Sequence, residues 1–547
     1  MIYSLAFSNN ISYNYFNALN FKKLKRQRDN VQKGKIKMAV KILLLVLFFG
    51  IMIAVGFYSR RHATNVNDFV LGGRSVGPWL TAFAYGTSYF SAVVFVGYAG
   101  QFGFKYGLAS TWIGIGNAFI GSLLAWVVLG RRTRIMTKHF DAKTMPDYFG
   151  KRYHSKSLRI VAAVITFVFM IPYTASVYNG LSRLFGMAFH IPYVVCVIAM
   201  AALTCVYVIL GGYMATAIND FIQGIIMIGG IIAVIVAVLN GQGGFMQAVM
   251  RLAQMESDIP VTMGQPGAFT SFFGPDPLNL LGVVILTSLG TWGLPQMIQK
   301  FYAIKDEKSI QSGTVISTAF AVVISGGCYF LGGFGRLFDT EAIHNADGSV
   351  IYDAIIPQML SLLPDILIGI VIMLVLSASM STLSSLVLTS SSTLTLDLVK
   401  RNLVKDMDDK KQLLWMRVWL VIFVVISVIL AIKPPTFIAQ LMGISWGALA
   451  GAFLAPFLYG LYWKRVTRPA VWASFACGVG LTVSNMFFKY IASPINAGAA
   501  AMIAGLIVVP VVSVVTKPME QGEIDFVFDC YKEKHLVEQK VALPAEE

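Results

Sequence analysis

The chain has 547 residues, of which 56% are hydrophobic and only 13% are charged. Soluble globular proteins carry about 25% charged residues, so this composition excludes a disordered chain and disfavours a water-soluble domain. The net charge of +16 could indicate nucleic-acid binding. However, the lysines and arginines lie in short clusters between apolar runs of about 20 residues, the length of a membrane span. This spacing is typical of a polytopic membrane protein.

The sequence offers no pattern for catalysis, for a resident metal or for ATP binding. The five cysteines include no CxxC pair, the six histidines include no HExxH motif, and no GxxxxGK[ST] loop appears. We therefore expect no enzyme, no cofactor and no ATP-driven pump of that type. No nucleic acid and no obligate protein partner are expected either, and the lipid bilayer is the expected surrounding.

The apolar runs predict an all-α membrane protein with about 13 transmembrane helices. The expected spans are 39–58, 76–100, 107–130, 158–182, 190–211, 214–240, 278–303, 310–335, 363–395, 413–432, 436–461, 467–488 and 498–516.

Lysine and arginine in the predicted loops set the expected orientation, because cytoplasmic loops carry an excess of these residues. The loops after the odd-numbered spans and the C-terminal segment together hold 27 of them, against 6 in the opposite loops. The N-terminus is therefore predicted outside the cell membrane. The C-terminus, with the charged tail 517–547, is predicted in the cytoplasm, and segment 38–75 is predicted to contain the first span and a cytoplasmic loop.

The N-terminal segment 1–37 does not fit this orientation. It carries eight lysines and arginines, which should resist export, and it has no apolar region typical of a signal peptide. It is either a disordered tail or a segment that precedes the native start of translation. We favour a start at Met38, directly before the first span.

Two spans contain residues that interrupt helices. Span two has Tyr-Gly-Thr-Ser at 85–88, and span seven has Ser-Leu-Gly-Thr-Trp-Gly-Leu-Pro at 288–295. Each span is followed by four others, so ranges 76–240 and 278–461 form a candidate five-plus-five inverted repeat, followed by two C-terminal spans at 467–516. The alternative is that these small residues only let helices pack closely.

Polar residues inside the spans indicate where an ion could bind. Asp220 is the one acidic residue well inside a span, and a charge there is unfavourable unless it has a function or a partner. It could be protonated, bonded to a neighbouring helix, or the counter-charge of a translocated cation. Span nine carries hydroxyls at 377–385 that could ligate a small alkali cation, or could hydrogen-bond to their own helix.

At these residues the chain resembles the sodium:solute symporter family, most closely its bacterial sodium/proline branch. Four motifs carry the likeness, which covers about residues 39–520: Asp-Phe-Val-Leu-Gly-Gly-Arg-Ser at 68–75 with Gly-Pro-Trp at 77–79, Pro-Asp-Tyr-Phe at 146–149, the Gly-Gly…Asp…Gln stretch at 211–223, and Met-Ser-Thr-Leu-Ser at 380–384. The resemblance implies a leucine-transporter-type fold and sodium-coupled symport by alternating access.

The resemblance also implies ligands for sodium, the coupling ion. The main sodium site would use Thr87, Phe90, Ala378, Ser381 and Thr382. Some relatives, among them sialic acid transporters, hold a second sodium, whose ligands would be Asp220, Ser381, Ser384 and Ser385. The family often has Trp-Thr before this aspartate, whereas this chain has Ile-Asn at 218–219.

The same resemblance points to a solute site between spans two and seven. Its expected residues are Ser91, Tyr173, Thr287, Thr291 and Trp292, with Pro295 also matching the proline branch. Tyr89 stands where that branch has an aspartate, and the apolar run 92–95 disfavours a sugar, which needs many hydrogen bonds. We expect a small solute, either an amino acid such as proline or a monocarboxylate. A proton-coupled transporter of the same fold is the alternative, and an ion channel is a weaker one.

Overall fold

The computed structural model describes residues 42–60, 63–189, 191–404, 407–436 and 438–532. Within these ranges the chain is helical and forms no strand. The helices are α1 Ile42–Ser59, α2 Val66–Leu71, α3 Pro78–Tyr89, α4 Ala99–Tyr106, α5 Thr111–Gly116, α6 Arg131–His139, α7 Met145–Arg152, α8 Lys156–Phe189, α9 Tyr193–Gly241, α10 Phe245–Ala253, α11 Pro277–Gly290, α12 Pro295–Ala303, α13 Glu307–Ala321, α14 Gly327–Gly332, α15 Tyr352–Ser361, α16 Asp365–Thr393, α17 Asp409–Ile432, α18 Ile438–Tyr462, α19 Arg468–Phe488, α20 Pro494–Val515 and α21 Gln521–Asp529.

Several helices include turns of the wider π-helical geometry. The π-helical segments are Val93–Tyr98, Asn117–Leu124, Trp126–Gly130, Val322–Gly326 and Leu394–Leu403. Segment 1–37, the proposed start at Met38 and the end of the C-terminal tail lie outside the described residues.

Eleven helices within the described ranges are long and apolar enough to cross a membrane, against the thirteen predicted. Predicted span 76–100 is interrupted: α3 has only 12 residues, and the remainder joins the next span in one helical run, Val93–His139. Predicted span 190–211 contributes only the shorter apolar helix Tyr193–Val206. The expected loop before residue 214 is a bend at Gly212 (φ 55°, ψ −149°) inside α9.

Both spans that were predicted to be interrupted are broken, span two just after the predicted residues 85–88 and span seven within 288–295. After α3, Phe90 is extended, with φ −105° and ψ 95°. Helical hydrogen bonding resumes when the Val94 N–H donates to the Ser91 carbonyl at 3.0 Å. α11 ends at Gly290, and α12 begins at Pro295, which has no N–H to satisfy in the first turn of a helix.

The broken helix α3 lies in the interior of the helix bundle, where it contacts α9, α12, α13 and α16. Residues 81–89 of α3 are all buried. On the outer helices, by contrast, large apolar side chains such as Leu43, Ile429 and Val511 are exposed. This arrangement suits a bundle surrounded by lipid tails, since its outer surface meets an apolar solvent.

At the end of the bundle with the basic loops, the segment before α3 is tied to the segment after α12. The Val76 N–H donates to the Ala303 carbonyl at 3.2 Å, and the Lys305 N–H donates to the Val76 carbonyl at 3.0 Å. The Arg74 guanidinium donates to the Tyr302 carbonyl at 3.2 Å. The two broken helices are therefore joined at this end through the main chain and one arginine.

A second close contact, between α4 and α14, depends on glycine. Gly103 of α4 meets Gly332 of α14 so closely that a Cβ on Gly103 would lie 2.0 Å from the Gly332 carbonyl carbon. A Cβ on Gly332 would lie 2.2 Å from the Ala99 carbonyl oxygen. The two backbones touch, so neither position has room for a side chain.

Candidate functional site

The hydroxyls of α16 reach the broken end of α3. The Ser381 hydroxyl donates to the Thr87 carbonyl at 3.0 Å, and the Thr382 hydroxyl donates to the same carbonyl at 3.2 Å. Both hydroxyls also approach the Ala378 carbonyl, each at 3.1 Å. Ser381, Thr382 and Thr87 are fully buried. The structure thus brings four of the five predicted main sodium ligands into one cluster of oxygen atoms.

Phe90, the fifth predicted ligand, lies at the break itself. Its extended backbone ends the hydrogen-bond ladder of α3, which leaves carbonyls near the break without their usual helical partners. A small hard cation prefers oxygen ligands, and carbonyl and hydroxyl oxygens supply them here. Because the hydroxyls also bond to the Ala378 carbonyl on their own helix, the same atoms suit both ion binding and helix back-bonding.

Two residues predicted for a second sodium, Ser384 and Ser385, lie about one turn further along α16, beside a cation that the sequence interpretation missed. The Ser384 hydroxyl donates to the Ser381 carbonyl at 2.8 Å. Ser385 accepts a hydrogen bond from the Lys300 ammonium at 2.9 Å. The same ammonium lies 3.8 Å from a carboxylate oxygen of Asp220.

Lys300 corrects one part of the sequence interpretation: it is one of the 27 lysines and arginines counted on the cytoplasmic side, although it lies within predicted span 278–303. The residue lies inside α12, where Pro295–Ala303 are all buried, and its side chain is 3% exposed. Pro295 could have revealed this position from the sequence. A proline favours the first turn of a helix, and a helix that begins at Pro295 has Lys300 in its second turn.

The predicted solute residues on span seven donate their side-chain hydrogen bonds to backbone carbonyls. Thr287 donates to the Val283 carbonyl at 2.9 Å. Thr291 donates to the Gly121 carbonyl at 3.1 Å. The Trp292 indole donates to the Ile120 carbonyl at 3.0 Å. Thr291 and Trp292 thereby attach the break in span seven to the segment at residues 117–124.

The predicted solute residues near the break in α3 have a different environment. The Tyr173 hydroxyl is buried and has no hydrogen-bond partner among the described residues, although the Ser91 and Trp446 side chains lie close to it. The Tyr173 and Trp446 rings meet edge to face at 5.8 Å. The Trp446 indole nitrogen and the hydroxyl of neighbouring Tyr98 are also buried without a partner among the described residues. The sequence interpretation named neither Trp446 nor Tyr98.

Tyr89, which stands where the proline branch has an aspartate, takes part in the same aromatic group. Its ring stacks on Phe90 at 4.2 Å and lies 6.0 Å from Trp446. Its hydroxyl donates to the Thr287 carbonyl at 2.6 Å. Tyr89 therefore links the two broken spans by a hydrogen bond and gives the region an aromatic wall in place of a charge.

A cavity of about 530 Å³ opens at the end of the bundle opposite to the basic loops. Val283, which lines it, also accepts the hydrogen bond from Thr287. The cavity therefore reaches to within one helical turn of the predicted solute residues. Its polar lining includes Gln101, Lys105, Asp276, Asn279 and Gln440.

Comparison with known proteins identifies the family. Residues 69–478 match the model of the sodium:solute symporter family. A sodium/proline symporter of Escherichia coli (strain K12) is 32% identical over 461 residues, which cover 82% of this chain and 88% of that protein. The osmoregulated proline transporter OpuE of Bacillus subtilis (strain 168) is 29% identical over 499 residues, which cover 88% of this chain and 96% of that protein.

A solved structure of a Na⁺-coupled sialic acid symporter in an outward-open state has the same fold, with a TM-score of 0.73 at 16% sequence identity. The alignment covers 88% of this chain and 98% of that structure. The expected all-α, leucine-transporter-type fold is confirmed, and so is sodium-coupled solute symport as the general function. With its matching motifs, its two broken spans and a family match over residues 69–478, the chain belongs to the sodium:solute symporter family.

Proposed function

We propose that the chain uses a sodium gradient to import a small solute with a carboxylate group, and that proline is the first candidate. The observation that carries the solute class is a group of three buried polar groups that make no well-aligned hydrogen bond among the described residues: the Tyr98 hydroxyl, the Tyr173 hydroxyl and the Trp446 indole nitrogen. The Ser91 and Trp446 side chains lie within hydrogen-bonding reach of the Tyr173 hydroxyl, so the three groups converge on one place. The proposed location is the cell membrane, with the N-terminus outside and the C-terminus in the cytoplasm.

These donors favour a carboxylate because an unpaired polar group in a buried site is unfavourable. A carboxylate only accepts hydrogen bonds and can take several at once. The aromatic faces of Tyr89 and Trp446 would then lie near the rest of a small solute. A cationic amine next to such faces gains a cation–π attraction.

The main sodium ion is proposed to bind at Thr87, Phe90, Ala378, Ser381 and Thr382. It would tie α16 to the broken end of α3, next to the proposed solute residues Ser91 and Tyr173. Coupling follows if sodium favours the state that binds solute, since solute must then favour sodium by the same factor. The cavity at one end and the Arg74 contacts at the other support an alternating-access cycle.

The identity of the solute has two candidates. Proline is supported by the names of the relatives, which are proline transporters in Escherichia coli and Bacillus subtilis. A monocarboxylate is supported because the cationic amine of an amino acid would find no free carboxylate here. Tyr89 replaces the aspartate of the proline branch, and Asp220 faces Lys300. Thr287, Thr291 and Trp292 would shape either pocket by holding span seven in place.

Counterflow in proteoliposomes with labelled proline, lactate and pyruvate separates these candidates. We expect accumulation driven by an inward sodium gradient, with proline exchanged fastest. Exchange of monocarboxylates alone would select the second candidate. Accumulation driven only by a pH gradient would indicate the proton-coupled alternative, and conductance without a gradient-driven accumulation would indicate a channel.

Tyr173→Phe tests the proposed carboxylate contact. A hydrogen bond to a charged group is worth about 1.5–3 kcal/mol, so the apparent solute affinity should fall roughly tenfold to a hundredfold. Tyr148→Phe is the matched control, because the Tyr148 hydroxyl is also buried and without a partner among the described residues but belongs to α7 in the basic loop. Equal solute affinity in both variants, measured by uptake, would contradict the proposed contact.

A further inference from the structure

We propose that the Lys300 ammonium takes the place of a second sodium ion beside Asp220, so that the chain binds one sodium ion and supplies the second cation from its own side chain. The inference rests on the proposed function, because it concerns how many sodium ions accompany the solute.

The two charged groups face each other deep in the bundle. The Asp220 side chain is 1% exposed, the Lys300 side chain is 3% exposed, and the ammonium lies 3.8 Å from the carboxylate. The ammonium also lies 5.2 Å from the centre of the Tyr213 ring. A charge buried at this depth requires an opposite charge, and each of these residues supplies it for the other as an ion pair, without a hydrogen bond between them.

The hydroxyls that would complete a second sodium site already have other partners. Ser385 accepts from the Lys300 ammonium at 2.9 Å and is 2.7 Å from the Ser88 hydroxyl. The Ser384 hydroxyl donates to the Ser381 carbonyl at 2.8 Å. The Ser381 hydroxyl donates to the Thr87 carbonyl at 3.0 Å, on the side of the main sodium site. The hydroxyls that donate keep their acceptor lone pairs, but Ser385 and Asp220 already face the Lys300 ammonium, so a second sodium would have to share these two ligands with it.

Electrostatics favours one cation at this position. Asp220 contributes a single negative charge, and Lys300 neutralises it. A sodium ion beside the same carboxylate would lie within a few ångströms of the ammonium, and the repulsion between two such charges is weakly screened in a buried site. A free sodium ion loses translational freedom when it binds, whereas the ammonium is already attached to the chain and does not.

The position of Lys300 gives the tethered cation a role in the fold. Lys300 belongs to α12, the second half of a broken span, whereas Asp220 belongs to α9 and Ser385 to α16. The ammonium thus connects three helices that surround the end of α3. A transported sodium would leave during each cycle, but this connection remains, so only the main sodium ion should be counted with the solute.

The test is a count of bound sodium on purified full-length protein in nanodiscs, using ²²Na at equilibrium. We expect one sodium per polypeptide for the unaltered chain and for Lys300→Arg, which keeps the charge. We expect two for Lys300→Met, which has a similar length and leaves Asp220 free to take an ion. The thermal unfolding temperature of Lys300→Met should also rise more steeply with sodium, since each bound ligand stabilises the folded state.

A double variant, Asp220→Asn with Lys300→Met, allows sodium binding to be measured without the ion pair if Lys300→Met fails to fold. It removes both charges, and replacing a buried ion pair with neutral residues is often tolerated. We expect it to keep one sodium with its affinity unchanged within about twofold, which is about 0.4 kcal/mol.

Several outcomes would overturn the inference. They are two sodium ions on the unaltered chain, one sodium on a folded Lys300→Met, and a loss of sodium binding in the double variant. Failure of the proposed function would appear differently, as solute uptake by the unaltered chain that ignores the sodium gradient.

Discussion

Thr382→Ala is expected to lower the apparent sodium affinity roughly tenfold to a hundredfold. The Thr382 hydroxyl lies 3.2 Å from the Thr87 carbonyl and 3.1 Å from the Ala378 carbonyl. A sodium ion at these oxygens has left its water shell, so the remaining ligands cannot replace the lost one. The loss of one such contact to a charged group is worth about 1.5–3 kcal/mol. Solute affinity at saturating sodium should change much less.

Ser392→Ala is the matched control for Thr382→Ala. Its hydroxyl donates to the Leu388 carbonyl at 2.7 Å and to the Thr389 carbonyl at 3.1 Å, both on its own helix. Sodium-dependent uptake is measured for both variants and the parent at equal membrane expression. The same sodium dependence in all three would show that the Thr382 hydroxyl only makes hydrogen bonds, to the Thr87 carbonyl and within α16, and does not ligate sodium.

Gly103→Ala is expected to remove most of the folded protein. The new Cβ would lie 2.0 Å from the carbonyl carbon of Gly332, so the obstacle is backbone and no side chain can rotate away. Inserting one methyl group into an ordinary core destabilises by about 1–3 kcal/mol, and here two helices must separate. Size-exclusion chromatography of a detergent-extracted fluorescent fusion should show aggregation or loss of the monodisperse peak.

Gly229→Ala serves as the control for this substitution. Gly229 lies within α9, and a Cβ built on it meets no atom within 4 Å. Alanine also favours helix over glycine by about 1 kcal/mol, so this variant should be as stable as the parent or more stable. A normal elution profile for Gly103→Ala would mean that α4 and α14 can separate without loss of the fold.

The fold could be predicted largely because its signals are local. An apolar run of sufficient length predicts a span, and the small residues at 85–88 and 288–295 mark the breaks. The count of thirteen spans is not confirmed, because hydropathy does not show that α3 is short or that the chain bends at Gly212 inside α9. The boundaries of the two repeats remain predictions.

The site was predictable only where short motifs define it. The motif at residues 380–384 located the hydroxyls that meet Thr87. Lys300 was misassigned because its position near the end of a span resembles a loop residue, and only the packing of α12 against α3 and α16 shows otherwise. Trp446 escaped notice because an aromatic residue in an apolar helix has no distinctive pattern. Which donors lack partners depends on contacts far apart in the chain.

The backbone bridge at Val76 has a consequence for how this transporter can be studied and how it can evolve. Both of its bonds join main-chain atoms, with the Val76 N–H on the Ala303 carbonyl and the Lys305 N–H on the Val76 carbonyl, so neither bond needs a particular side chain. An alanine scan would therefore leave both hydrogen bonds of this bridge in place. Only a change of backbone chemistry, such as proline at position 76, would cut the Val76 N–H bond.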